Sequence, residues 1–221
     1  MKKAFLLCCI LLLSITSYSQ VKLGLKFAPG FSFNRVSADD KAGVDFKKNG
    51  LGIRFIAGPE VYFLIGDNAA FVTGVWFSSR RVGIKYVGAG TTTKETYNLQ
   101  YIALPAYLKL YTNEIATDMK VYFNVGGSFD IKIKDNNIKT DLSDPYITKW
   151  RPIDASILLG TGIQLQMGES TYLLAGISYN RGLVNAASKR RFDLTDVNGN
   201  PIDPKLKINT DLISLDLGLR F

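Results

Sequence analysis

The chain has 221 residues, 27 basic and 19 acidic side chains, and no histidine. The absence of histidine excludes a Ser-His-Asp triad and any zinc or haem held by imidazole. A net charge of +8 is not by itself a nucleic-acid signal, and it suits a surface that meets anionic lipids.

The first element predicted is an export signal. Met1-Lys2-Lys3 is a short positive region, Ala4 to Leu13 is an apolar run, and Ser17-Tyr18-Ser19 offers a small-x-small cleavage pattern before Gln20. The apolar run is too short for a membrane-spanning helix, which takes roughly 20 residues. Lipidation at Cys8 or Cys9 is disfavoured, because Leu7 stands where a small residue is expected and both cysteines lie inside the apolar run. The expected division is a signal peptide over residues 1–19 and one domain over 20–221. Removing Lys2 and Lys3 leaves 25 basic against 19 acidic residues, a net +6, and removes both cysteines. The remaining chain then has no disulfide and no thiolate site.

Eight segments follow in which apolar residues stand at every second position, the period of a strand with two unlike faces. The first, 21–33, sets Val21, Leu23, Leu25, Phe27, Phe31 and Phe33 against Lys22, Gly24, Lys26, Ala28, Gly30 and Ser32. In 51–65, Leu51, Ile53, Phe55, Ala57, Val61 and Phe63 oppose Gly52, Arg54, Gly58, Glu60 and Tyr62. The third, 69–87, opposes Phe71, Val75 and Phe77 to Gly74, Ser78 and Arg80; Trp76 interrupts the polar phase and the far half is less regular. In the fourth, 97–111, Ile102, Leu104, Ala106, Leu108 and Leu110 face one way and Asn98, Gln100 and Lys109 the other. Pro105 lacks a ladder donor, so a bulge or local bend is expected there.

The fifth strand, 119–133, carries Asp130 on its polar face, and the sixth, 153–167, carries Asp154, Gly160 and Gly162. The seventh, 171–184, places Gly176 and Ser178 there. The eighth, 209–221, opposes Ile213, Leu215, Leu217, Leu219 and Phe221 to Ser214, Asp216, Gly218 and Arg220. Connections alternate between long polar stretches (34–49, 88–95, 134–152, 185–207) and short ones (66–68, 112–118, 168–170). The pattern predicts an all-β fold: an eight-stranded antiparallel up-and-down transmembrane β-barrel, with both strand termini and the short turns on the periplasmic side.

A soluble barrel of the lipocalin type also alternates, and the glycines separate the two. Eleven strand glycines fall on the polar face. There they suit a narrow lumen in which small residues make room for long ones, and they would only weaken a solvated outer face. Polar inward and apolar outward is the lipid-facing arrangement.

Three stretches resemble the PorT-like outer-membrane β-barrel family of Gram-negative bacteria. They are Leu99-Gln-Tyr-Ile-Ala-Leu-Pro-Ala-Tyr-Leu-Lys-Leu-Tyr111, Val121-Tyr-Phe-Asn-Val-Gly-Gly-Ser-Phe129 and Tyr179-Asn-Arg-Gly-Leu-Val-Asn185. The resemblance implies location in the outer membrane and a barrel fold. The founding member's link to protein secretion is not carried over beyond an alternative.

Candidate sites are few. Arg54, Glu60, Arg80, Asp130, Asp154, Asp216 and Arg220 form a lumen charge set, read as a paired plug rather than a ligand or proton path. Lys189, Arg190 and Arg191 are a candidate contact for lipopolysaccharide phosphates, against the simpler reading of a solvated charge run. Asp193, Asp196, Asn198, Asn200 and Asp203 have calcium-like spacing but a glycine at the fourth place, so an Asn198-Gly199 hairpin turn is preferred. No catalytic constellation, metal site or cofactor is predicted, and the chain is expected not to be an enzyme. The partners expected are outer-membrane lipid and lipopolysaccharide, the barrel-assembly machinery through the strand ending in Phe221, and a protein at the long loops. Nucleic acid is not among them. A structural or interaction protein is the first functional reading, with a narrow pore and a secretion-associated protein as alternatives.

Overall fold

The computed structural model describes residues 20–38, 45–88, 91–140, 146–190 and 206–221, all in strands and short connections. The strands are β1 (Val21–Ser37), β2 (Asp45–Lys48), β3 (Gly52–Leu64), β4 (Ala69–Gly74), β5 (Trp76–Gly88) and β6 (Thr91–Ala116), followed by β7 (Met119–Thr140), β8 (Ile147–Trp150), β9 (Ile153–Gln166), β10 (Tyr172–Gly182), β11 (Ala187–Arg190) and β12 (Lys207–Arg220). The predicted signal peptide lies outside the described residues, as do Arg191 and the 193–203 loop.

The sheet closes on itself. Every ladder is antiparallel, β12 pairs with both β10 and β1, and β1 pairs in turn with β3. β4 and β5 together make one wall between β3 and β6, so the ring has the eight walls expected. Closure leaves no edge in the belt, which is what a sheet in hydrocarbon requires.

The outward face is apolar. Leu23, Phe27, Ile53, Phe71, Leu104, Leu108, Phe123, Ile163, Ile177 and Leu215 are among the exposed large side chains, drawn from every wall. The inward face holds the buried charges other than Asp211, which shares the parity of Ile213 and is paired with Arg35, and the glycines at 24, 126, 160, 162 and 176 lie on it. It is less uniformly polar than predicted: Ile56, Val72, Leu158, Leu174 and Leu212 are buried there among the polar groups.

Pro105 does not bulge its own strand. The β6–β7 register runs unbroken from Tyr101 to Tyr111, and the disturbance falls on the neighbouring wall, where β4 and β5 are parted at Val75. Pro59 on one side and Pro105 on the other flank this break. Val75 N–H donates to Pro59 O (3.2 Å), and the Thr73 hydroxyl to Pro105 O (2.8 Å). Two residues without amide hydrogens thus interrupt the strand between them instead of shifting register.

The strands also run further than the alternation suggested. β6 begins at Thr91 and β7 continues to Thr140, past register shifts opposite Thr96–Tyr97 and Gln100–Tyr101. β2 adds to β5, and β8 and β11 form a separate two-stranded ribbon. These additions build a crown at the long-loop end. Its inward residues Val82, Ile84, Tyr97, Leu99 and Ile208 pack with Phe46, Tyr146, Ile147, Trp150 and Leu206 into a second apolar core. The outward residues of the crown are polar: Lys85, Asn98, Gln100, Lys207 and Asn209. Asn98 and Gln100, expected beside Lys109, therefore share the face of Leu104 and Leu108 instead, because Lys109 sits at the other parity and is buried in the lumen.

Candidate functional site

The lumen is the candidate site, and its side chains stack in layers along the barrel axis. Nearest the crown, β5 presents Arg80 inward between β7 and β9. Its guanidinium pairs with Asp130 and with Asp154 (3.0 Å) and donates to the Thr210 hydroxyl (3.2 Å). The Tyr101 ring lies 5.0 Å from the guanidinium carbon, forming the roof of this layer. Ser128 and Ser156 join hydroxyls at 2.8 Å, and Ser128 donates to Asp130 at 2.7 Å.

One layer further in, Lys26 of β1 pairs with Asp216 of β12 at 2.8 Å. Ser178 and Ser214 donate to the same carboxylate at 2.8 and 3.2 Å. Glu60 follows, accepting from the hydroxyls of Tyr62 (2.5 Å) and Tyr107 (2.9 Å). Lys109 stands over the rings of Tyr122 (4.2 Å) and Tyr62 (5.3 Å), a cation held by π faces rather than by a carboxylate. The cavity among these groups measures about 10 Å³, room for about one water at most. At the short-turn end Arg220 donates to the Tyr111 hydroxyl (3.0 Å) and stacks on Tyr172 at 4.1 Å.

Of the predicted lumen set, Glu60, Arg80, Asp130, Asp154, Asp216 and Arg220 are therefore inside and buried. Arg54 is not part of the network. It sits half-exposed where β3 parts from β5, donates to Ile53 O (2.7 Å) and lies beside Arg81. Parity placed it correctly; height along the barrel did not. The sequence reading missed Lys26 and Lys109 as charge partners, although both stand on the predicted polar faces. Counting them, the belt lumen holds, among the described residues, four buried cations (Lys26, Arg80, Lys109, Arg220) and four anions (Glu60, Asp130, Asp154, Asp216). A balanced lumen has no ring of one sign to select ions.

Gly162 and Gly176 are direct partners across β9 and β10. The side chain that uses the space is Tyr122 of the adjacent wall, not an arginine from across the barrel: its hydroxyl lies 2.5 Å from where a Cβ on either glycine would stand. Only glycine permits that approach.

In the crown, Glu95 is fully buried and accepts from Tyr86 and from the Tyr97 hydroxyl (2.7 Å) and Tyr146 N–H (2.8 Å). Burial first, and the adjacent carboxylate second, push the Tyr86 and Tyr97 phenols well above their ordinary range, so both remain donors. Lys189 is exposed on β11, its backbone opposite that of Lys149, so two lysines share that ribbon. The side chain of Arg190 and all of Arg191 lie outside the described residues.

These features define a closed, lipid-facing antiparallel barrel. Residues 18–188 match the family described as outer membrane protein beta-barrel domain, and the chain belongs to that family. It is an outer-membrane protein of the Gram-negative envelope. Among solved structures, the outer membrane protein OprG from Pseudomonas aeruginosa superimposes with a TM-score of 0.53 at 10% identity, over 90% of this chain and 95% of that one. Neisserial surface protein A gives 0.43 at 13% identity, over 89% of this chain and 95% of that one. At such identities the likeness concerns the fold. No curated protein matches the sequence.

Proposed function

We propose that this protein is a non-conducting outer-membrane barrel whose role is structural or interactive, exercised through its long-loop end. The observation that carries this is the occlusion of the lumen at successive levels. The crown core closes one end, the Arg80 layer lies beneath it, and the cavity below that holds about 10 Å³. In this reading the crown faces the outside and the short turns face the periplasm. The outward apolar belt meets lipid, and Lys189 with Lys149 offers charge to lipopolysaccharide phosphates. Pairing of β12 with β1 supports a closing step by the barrel-assembly machinery at the strand that ends in Phe221. The three PorT-like stretches support a place in that subgroup, and a link to secretion would follow the crown's partner.

Planar-bilayer recording tests the proposal. The purified barrel should give no discrete conductance steps in molar salt. Reproducible unit steps would overturn the closed-lumen reading and favour a pore. Thiol labels at Lys149→Cys and Asp67→Cys on intact cells should react only at the first site.

A further inference from the structure

At the short-turn end the lumen opens into a cup of about 460 Å³, the size of a small-molecule site. Its floor is Arg220, which is only 6% exposed. Two of the other three lumen cations are neutralised nearby, Lys26 by Asp216 and Arg80 by Asp130 and Asp154. Lys109 is enclosed in a space too small for a ligand. Arg220 differs from all three. Its hydrogen bond goes to a neutral phenol, Tyr111, and among the described residues no carboxylate lies within ion-pair distance. Tyr172 stacks on the guanidinium at 4.1 Å and Tyr111 holds one nitrogen, which fixes the plane of the fork.

Gln164 belongs to the same cup. Gln164 is 5% exposed, lines the wall, and its Oε1 has no donor among the described residues. Burying a cation with no carboxylate beside it is costly in a plain structural plug. An anion bound in the cup would offset that cost. A fixed, planar guanidinium matches a two-oxygen anion; the rest of the lining is mainly polar and includes Lys120 as well as the carboxylates of Asp67 and Glu114, while Tyr111, Tyr172 and Leu64 offer ring and aliphatic surface to an organic body.

We propose that this cup binds a small organic oxyanion, a carboxylate or a phosphate monoester, with Arg220 gripping the anion. The inference does not depend on whether the barrel conducts or on which way it faces.

The test uses the refolded barrel in detergent micelles and three probes of similar size: benzoate, phenyl phosphate and uncharged benzamide. Binding is read by calorimetry and by amide shifts of Arg220 and Gln164. Benzoate or phenyl phosphate should bind at least about tenfold more tightly than benzamide. A preference between the two anions distinguishes a carboxylate from a phosphate source. Arg220→Gln should abolish that discrimination, and Arg220→Lys, which keeps the charge but not the fork, should weaken it about tenfold. Lys85→Gln, far away in the crown, should change nothing. Equal binding of benzamide and both anions to the unaltered protein would overturn the proposal, a result that needs no variant to fold. So would an Arg220→Gln barrel, folded by circular dichroism, that binds the anions as the parent does.

Discussion

The belt and the crown are one sheet with two opposite polarities. In the belt, Leu104 and Leu108 face out and Lys109 faces in; earlier in the same strand, Asn98 and Gln100 face out and Leu99 and Tyr101 face in. The backbone does not change parity between them. The solvent does. Below the boundary the surroundings are hydrocarbon, so the apolar side turns outward and every inward polar group must find a partner within the barrel. Above it the surroundings are water, and the hydrophobic effect draws the apolar side in. The crown therefore has the construction of a small soluble domain, and the belt is held by ion pairs, hydrogen bonds and close packing.

The largest difference should appear when a central charge is removed from the belt. Arg80→Ala leaves Asp130 and Asp154 buried and uncompensated, and should cost about 3–5 kcal/mol in urea unfolding from liposomes. Replacing all three together, as Arg80→Met with Asp130→Leu and Asp154→Leu, should recover most of that loss. A single-variant loss below about 1 kcal/mol would mean that the layer is wetter than described.

Leu99→Ala carves a cavity in the crown and should cost about 2–5 kcal/mol there. The loss should be local. Amides of β8, β11 and the upper parts of β5 and β6 should exchange faster, while belt amides keep their protection. Equal acceleration in both regions would break the distinction between two cores.

Smaller effects are expected from packing in the belt. Gly162→Leu drives a side chain into Ala175 O, the Tyr122 hydroxyl and Gly176, and should cost about 1–3 kcal/mol or more. Tyr122→Ala should rescue part of it, because it clears the space in dispute. Ile163→Leu, one residue away on the lipid face, should stay within about 0.5 kcal/mol. If Gly162→Leu is tolerated as well as Ile163→Leu, the inward face has been misassigned.

The belt was legible in the sequence because a period of two is a local signal and each wall repeats it. Glu60, Arg80, Asp130, Asp154, Asp216 and Arg220 followed from parity alone. What parity cannot supply is height along the barrel, and that misplaced Arg54 at a rim beside Arg81. The outer parts of the crown, at 34–49, 88–95, 134–152 and 185–207, were read as polar loops because they are rich in lysine, asparagine and threonine, and because four-residue strands such as β2, β8 and β11 carry too little periodicity to register. The irregular far half of the third strand was the crown's trace: Val82, Ile84 and Tyr86 continue the inward parity of Ser78 and Arg80 but with the opposite chemistry. Tyr122 was missed as the filler of the glycine pair because the contact runs between neighbouring walls, which a hairpin-by-hairpin reading does not reach.

The change of polarity at constant parity is tested most directly by spin labels on one face of β6. Single cysteines at Asn98, Gln100, Leu104, Leu108 and Leu110, in a chain beginning at Gln20 and so otherwise free of cysteine, report oxygen and aqueous nickel-chelate accessibility in liposomes. Labels at 104, 108 and 110 should be accessible to oxygen and shielded from the chelate, and labels at 98 and 100 should show the reverse. One uniform accessibility along all five positions would contradict the account.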